Sequence, residues 1–313
     1  MEPFLDPAAD LRPGRAVRLG PALRRVLAAN PSPLTGPGTN TYVVGAGEVV
    51  VVDPGPDDPA HLRAILAALG PGERVGVILV THAHLDHSPL ARALAAQTGA
   101  PVLAYGDARA GRSPAMAAIA GEVGGGEGVD AAFAPDRRLA DGERLRVGGT
   151  EIEALWTPGH FGNHMCFAVG DAIFCGDLVL GWASTLVSPP DGDVAAFLAS
   201  CRRLRARRPA TLHPGHGEPI IDPAARIDWL IAHRQAREAE IRAVLAEGPA
   251  TPAEIVARLY AETPRALWPA AERNVLAHLI DLASRGLAAP DGPLAPGATF
   301  RAPPLAPPAG PAL

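Results

Sequence analysis

Lysine is absent from this sequence: all 28 of its basic residues are arginine. That excludes Schiff-base chemistry, a P-loop lysine, a kinase-type strand lysine and a Ser-Lys pair, since each needs an amine that can lose its proton or grip a phosphate. Cysteine is scarce. Cys166, Cys175 and Cys201 are odd in number and none falls in a C-x-x-C spacing, which argues against a disulfide framework and against a cysteine zinc knuckle. No apolar run reaches bilayer length, and the start, MEPFLDPAADLRPGR, carries acids and prolines where a signal peptide carries a basic end and an apolar stretch. The chain is therefore expected to be cytoplasmic and unprocessed, with no membrane partner. Positive charge is not in excess either. A formal net charge of -5 disfavours general nucleic-acid coating, which needs a basic surface to displace counterions.

What is present suits a large core with one appendage: 313 residues, 48% hydrophobic and 19% charged. Short apolar runs alternate with helical patterns over the first two thirds, which predicts layered α/β structure. GTNTYVVGAGEVVVVDPG reads as two strands joined at Gly45 to Gly47, with Asp53, Pro54 and Gly55 ending the second. HLRAILAALG reads as a helix closed by Gly70. VGVILV is a buried strand running into THAHLDH, after which Ser88-Pro89 predicts an N-cap and first helical position for LARALAAQTG. Residues 106–128, rich in glycine, are expected to form a flexible loop over the surface or site mouth. Strands are expected at EIEALW, MCFAV, AIFC and ATLH, and helices at DVAAFLASCRRLRARR and from Pro223 to Glu247. These boundaries give a catalytic domain over 1–222, a linking helix with a small winged-helix-like module over 223–289, and a Pro/Ala-rich tail over 290–313 that is expected to be disordered. In the module Arg258, Arg265, Arg273 and Arg285 are offset by Glu254, Glu262, Glu272 and Asp281, so no DNA-reading face is evident.

His82, His84, Asp86 and His87 form H-x-H-x-D-H in one loop between strand and helix, offering the imidazole and carboxylate donors that Zn²⁺ prefers. Three more donors each stand just past a predicted strand: His160 in TPGH, Asp177 in CGD and His216 in PGHG. Loops that follow strands can converge on one edge of a sheet sandwich, and the flanking Gly159, Gly162, Gly176, Gly215 and Gly217 let the backbone turn sharply. Seven such donors suit two metals. Other residues carry weaker weight. His164 is a candidate proton donor or an orienting neighbour, and His213 is a strand-end residue beside PGHG. His61, His233 and His278 are expected at surfaces or interfaces, and Arg202, Arg203, Arg205, Arg207 and Arg208 at a solvated helix end where cations complement the dipole.

THAHLDH, TPGH, GD and PGHG, with the upstream VVDPG, resemble the metallo-β-lactamase superfamily, which implies a four-layered αβ/βα sandwich with a metal site at one edge. GTNTYVV, CGDLVLG and an H-R-x-x-R-E-like helix before a winged-helix-like module are similar to the subgroup that includes beta-lactamase-like protein 2, and glyoxalase II shares the same seven donors. By this resemblance His82, His84 and His160 hold one metal, Asp86, His87 and His216 hold the second, and Asp177 bridges them. Asp53 resembles the strand-end aspartate that lies behind the ligands and orients an imidazole. The sequence departs from many relatives at Ser88-Pro89, where Ser-Gly-Gly is common, which leaves the donors intact and alters the adjoining surface.

The expected activity is that of a binuclear zinc-dependent hydrolase. Two Zn²⁺ ions, with Fe or Mn also compatible with the donors, would share a bridging hydroxide, hydrogen-bonded by Asp86 as the catalytic residue, that cleaves an ester, thioester or related acyl bond in a small molecule. The alternative is a metal-dependent endoribonuclease acting on phosphodiesters of single-stranded RNA. A β-lactamase ranks lower for want of an export signal. A non-enzymatic winged-helix regulator ranks lower because every expected donor position is filled. A homodimer is the preferred assembly.

Overall fold

The computed structural model describes residues 12–303. Residues 1–11 and 304–313, which hold most of the expected unprocessed start and the end of the expected disordered tail, lie outside the described residues. Strands β1 (Ala16–Gly20), β2 (Leu23–Leu27), β3 (Asn40–Val44) and β4 (Glu48–Val52) form an antiparallel meander. Then α1 (Pro59–Ala67), β5 (Arg74–Leu79), α2 (Leu90–Thr98), β6 (Val102–Ala104), the short α3 (Pro114–Ala118) and β7 (Arg137–Arg138) add three parallel neighbours, completing a seven-stranded sheet. The second sheet uses β8 (Arg144–Val147), β9 (Thr150–Trp156), β10 (Met165–Val169) and β11 (Ala172–Gly176), then crosses through α4 (Val194–Arg207) to the parallel β12 (Thr211–Pro214).

The valine run of β4 shows why the layers form. Side chains of a strand alternate between faces, so a run buried on both faces needs an apolar layer on each. Val49 and Val51 pack with Leu62, Ile65, Leu90 and Leu94 of α1 and α2, whereas Val50 and Val52 pack with Ile152, Phe167 and Phe174 of the other sheet. On the far side Leu155, Cys166 and Ile173 meet Phe197, Cys201 and Leu204 of α4. The result is the expected four-layered αβ/βα sandwich.

The C-terminal module consists of α5 (Pro223–Glu247), α6 (Pro252–Leu259), α7 (Trp268–Ser284) and a hairpin of β13 (Ala289–Pro290) with β14 (Phe300–Arg301). Thr251 and Glu254 start α6 with a reciprocal capping box. Residues 290–303 therefore contain an ordered wing where disorder was expected. Phe300 is fully buried among Leu279, Ile255 and Val244, and its backbone pairs with Ala250; one anchoring aromatic gives no periodic signal.

Other expectations are corrected locally. Helix α1 ends at Ala67, short of Gly70. Ser88 does not cap α2. Its hydroxyl donates to the His84 carbonyl and to Asp130, a carboxylate being the stronger acceptor, and Pro89 already has helical angles. Residues 106–128 are not a free loop: Met116, Ile119 and Val123 carry a helical spacing between the glycines and pack into the C-terminal core. Of the three histidines expected at surfaces or interfaces, His61 and His278 are fully buried and His233 is half-buried, stacked on Trp229. Among the described residues no helix is long and apolar enough to cross a membrane.

Burial, reinforced by Arg234, Arg237, His233 and Arg285, pushes the His278 imidazole down to about 3. An unfolded histidine titrates near 6.5, so the unfolded chain binds the extra proton. Stability is full above about pH 6.5 and falls as pH drops towards 3, by about 1.4 kcal/mol per pH unit for each such group. Urea unfolding of His278→Leu between pH 7 and pH 5 is expected to show a shallower loss than the unsubstituted chain. Equal slopes would show that His278 is not one of the groups responsible.

Candidate metal centre

Five strand ends build the site. Asp53 follows β4, His82 to His87 follow β5, His160 follows β9, Asp177 follows β11 and His216 follows β12. Backbone hydrogen bonds lace these ends together across the two sheets. Met165 N–H donates to the Thr81 carbonyl (2.8 Å), Asn40 N–H to the Gly215 carbonyl (2.7 Å) and Gly215 N–H to the Gly176 carbonyl (2.8 Å). Gly215 has to be glycine for steric reasons, because a Cβ there would strike Asp177 Oδ1 and come within 2.6 Å of His87 Cε1.

All seven donors predicted from sequence meet. Nε2 of His82 lies 2.8 Å from Nδ1 of His84, which lies 3.1 Å from Nε2 of His160. Nearby, Asp86 Oδ2 is 3.5 Å from His87 Nε2 and 3.2 Å from His216 Nε2. Asp177 stands between the groups: Oδ2 is 3.2 Å from His216 Nε2 and 3.8 Å from His160 Nε2, and Oδ1 is 3.5 Å from His87 Nε2. Three overlapping sets of donor atoms are each compact enough to hold an ion: His82, His84 and His160; His82, His87 and Asp177; and Asp86, His87 and His216.

The other ring nitrogens decide what faces the centre. His160 Nδ1 donates to the Leu186 carbonyl (2.7 Å) and His216 Nδ1 to the Gly38 carbonyl (3.1 Å); a carbonyl only accepts, so both nitrogens carry protons. The Thr81 hydroxyl donates to Asp53 Oδ2 (2.7 Å) and therefore accepts from His82 Nδ1 (2.9 Å). His87 Nδ1 donates to the same Asp53 oxygen (2.9 Å). When neutral, these four rings present Nε2 lone pairs inward. Buried His87 Nε2 and Asp177 Oδ1 have no hydrogen-bond partner. With their protons off, these converging nitrogens and carboxylate oxygens are acceptors that a cation would satisfy, and mixed imidazole and carboxylate donors fit Zn²⁺, Fe or Mn.

Electrostatics divide the cluster. Burial, with neighbouring imidazoles, holds His82 well below its usual range, lowers His84 to about 3 and lowers His160. Burial would also lower His87 and His216, but Asp86, Asp177 and Asp53 outweigh it for His87, and Asp177 and Asp86 raise His216 to about 9. Both carboxyls, Asp86 and Asp177, are pulled down by these imidazoles against the opposing effect of burial. One half is thus ready to accept a cation as neutral imidazoles, while in the other half protons stand where a cation would displace them.

The remaining histidines lie outside the donor set. His164 is fully buried behind His82, with Nδ1 beside the Thr157 hydroxyl (3.0 Å), and burial holds it well below its usual range, so it is not placed as a solvent-fed proton donor. His213 is buried and stacks on Phe174. Arg203, Arg205 and Arg207 pair with Asp141, Asp228 and Glu153 at the end of α4. Sequence reasoning missed several orienting groups: Thr81, the carbonyls of Leu186 and Gly38, and Asn40, whose amide donates to the Pro214 and Gly217 carbonyls (3.1 and 2.8 Å) and holds PGHG in place. His61 was missed too; it donates to the Thr41 hydroxyl (2.8 Å), which donates to the Asp53 carbonyl (2.6 Å). The side chains of GTNTY carried the one available signal, a cluster of polar groups opening a buried strand.

Residues 34–216 match the metallo-beta-lactamase superfamily and residues 251–293 match the beta-lactamase associated winged helix domain. Over 279 residues the chain is 30% identical to a beta-lactamase-like protein 2 homolog of Drosophila melanogaster, spanning 86% of this chain and 90% of that one. It is 29% identical over 266 residues to atrochrysone carboxyl ACP thioesterase of Aspergillus fumigatus, spanning 79% and 76% respectively. A metallo-beta-lactamase family protein from Thermus thermophilus superposes with a TM-score of 0.72 at 29% identity, over 91% of this chain and all (100%) of that one. A beta-lactamase domain protein from Burkholderia ambifaria gives 0.76 at 25% identity over 95% and 96%. By fold, by the meeting of the strand-end donors and by these matches, the chain belongs to the metallo-beta-lactamase superfamily of metal-dependent hydrolases and carries that superfamily's associated winged helix domain.

Proposed function

We propose that the protein is a binuclear zinc hydrolase that cleaves an ester, thioester or related acyl bond of a small molecule. His82, His84 and His160 would hold one ion and Asp86, His87 and His216 the other, with Asp177 available to both groups. The observation that carries this reading is the Asp177 carboxylate, set between two donor groups with one oxygen reaching towards both His160 and His216 and the other towards His87. When bound, the cations supply Lewis acidity to the reacting carbonyl and a water nucleophile at neutral pH.

The chain's own residues do the positioning. Asp86, 3.3 Å from the Thr39 hydroxyl that donates to it, accepts a hydrogen bond from the attacking water and orients it. Asn30 holds Thr39 in turn through its N–H and hydroxyl (both 2.9 Å). Exposed apolar groups lie close to the donors along the chain: Leu34 and Leu85, 52% and 51% exposed, stand on the loops that carry Thr39 and Asp86. The Trp182 indole covers Gly36 and Gly217, where an added Cβ would come within about 3.2 Å of it. Apolar side chains on these loops favour an acyl group over a phosphodiester. Arg226, Arg234 and Arg273 direct their guanidinium groups at backbone carbonyls between Leu180 and Pro189, and so do not offer them to a phosphate. The thioesterase among the relatives supports the same bond class. Three free, buried cysteines support a reducing, cytoplasmic location.

A thioester panel and a labelled single-stranded RNA, each assayed with and without chelator, test the bond. Thioester hydrolysis is expected, abolished by chelator and restored by Zn²⁺; cleavage of RNA alone would overturn the acyl reading. Asp86→Ala is expected to lower kcat/KM by about 100-fold or more, beyond the usual effect of losing an orienting group. Elemental analysis of Gly215→Ala should find less than the full complement of two ions, because the added methyl displaces Asp177 and His87. Full occupancy in that variant would count against the bridging role of Asp177.

A further inference from the structure

The H-R-x-x-R-E-like segment of α5 plays no part in the chemistry above, yet Arg234 within it is only 3% exposed. Its guanidinium Nη2 donates to the Thr185 carbonyl, and Nη1 donates to Asn274 Oδ1 of α7 (3.0 Å). The same Asn274 oxygen accepts from Val187 N–H (3.0 Å). Arg237 lies over Tyr260 at 4.2 Å and Glu238 pairs with Arg285 at 2.7 Å, so the rest of the motif fastens α5 to the winged helix.

The segment held this way is the one that touches the donors. Val187 N–H and the Leu186 carbonyl belong to one planar peptide unit, and in a trans peptide they point to opposite sides. Asn274 takes the N–H on one side, and His160 Nδ1 donates to the carbonyl on the other at 2.7 Å. One residue earlier, the Thr185 hydroxyl donates to the carbonyl of Asp177 (2.8 Å). The peptide that fixes the protonated nitrogen of His160 is therefore clamped from the C-terminal module.

We propose that Arg234 and Asn274 are positioning residues of the metal centre, through which the winged-helix module holds the Leu186–Val187 peptide against His160 and sets the aim of its Nε2. The proposal rests on the reading of His160 as a ligand. It gives the module a role that requires no ligand of its own: it keeps one donor of the first ion in register.

The test uses full-length protein and metal binding itself. Zn²⁺ affinity is measured by chelator competition, the Co²⁺ visible spectrum reports coordination, and thermal unfolding is followed on metal-free protein. Asn274→Leu is expected to weaken one of the two ions by about 10- to 100-fold and to shift the Co²⁺ bands. Asn274→Asp keeps an oxygen for both Val187 N–H and Arg234 and is expected to retain the original affinity. Arg234→Gln provides an independent variant with the same expected loss, should Asn274→Leu fail to fold. An Asn274→Leu protein that binds both ions with unchanged affinity and spectrum overturns the proposal, even if its thermal midpoint falls. His160→Ala is the reference: if it binds both ions like the unsubstituted chain, the ligand reading itself fails, whereas loss in His160→Ala without loss in Asn274→Leu overturns the clamp alone.

Discussion

The carboxylate of Asp53 is the interaction on which the site depends. It is 2% exposed and accepts three hydrogen bonds: from Thr81 N–H (2.7 Å), from the Thr81 hydroxyl (2.7 Å) and from His87 Nδ1 (2.9 Å). A buried charge is tolerable only when satisfied in this way. Because Thr81 also receives His82 Nδ1, one carboxylate orients an imidazole in each half of the donor cluster. Asp53 itself sits at φ 49, an unusual backbone angle for a residue other than glycine, at the turn where β4 ends. Three hydrogen bonds to the side chain fasten the residue at that turn.

Much of this was legible in the sequence because the donors are local or regularly placed. H-x-H-x-D-H is a single loop, and His160, Asp177 and His216 each follow a short apolar run with glycine beside them, so strand patterning alone sends them to one edge. The valine run of β4 declared its burial on both faces. Other parts were hidden for physical reasons. The groups that orient His160 and His216 are the backbone carbonyls of Leu186 and Gly38, and every residue has a carbonyl. His278 and His61 read as helix residues at a surface or interface, and only the folded packing shows them buried. In residues 106–128 the glycines masked the helical spacing of Met116, Ile119 and Val123, and a single Phe300 anchors the wing without any repeat to reveal it.

The all-arginine composition also gains a structural meaning. Arg226, Arg234 and Arg273 each reach two or more acceptors around the loop after β11, using the forked donors that a lysine ammonium lacks. Backbone carbonyls between Leu180 and Pro189 are satisfied by cations from α5 and α7, so the loop holds its shape without regular secondary structure of its own. The boundary between sandwich and module thus adds directional polar bonds to apolar contacts, in which Ile227, Leu230 and Ala277 join the core beside α4 and Met116 and Val123 join that of the module.

The backbone pairing of Thr39 with His216, and the bond between Gly38 and His216 across 178 residues, dictate an order of events at the ribosome. A nascent chain presents the histidine-rich loop long before its distant partners emerge, and the segments carrying Arg234 and Asn274 come later still. Contacts this remote close slowly, since the intervening polypeptide must first be gathered in. Fragments released early would therefore lack a finished cavity, and assembly of the centre belongs to the completed polypeptide.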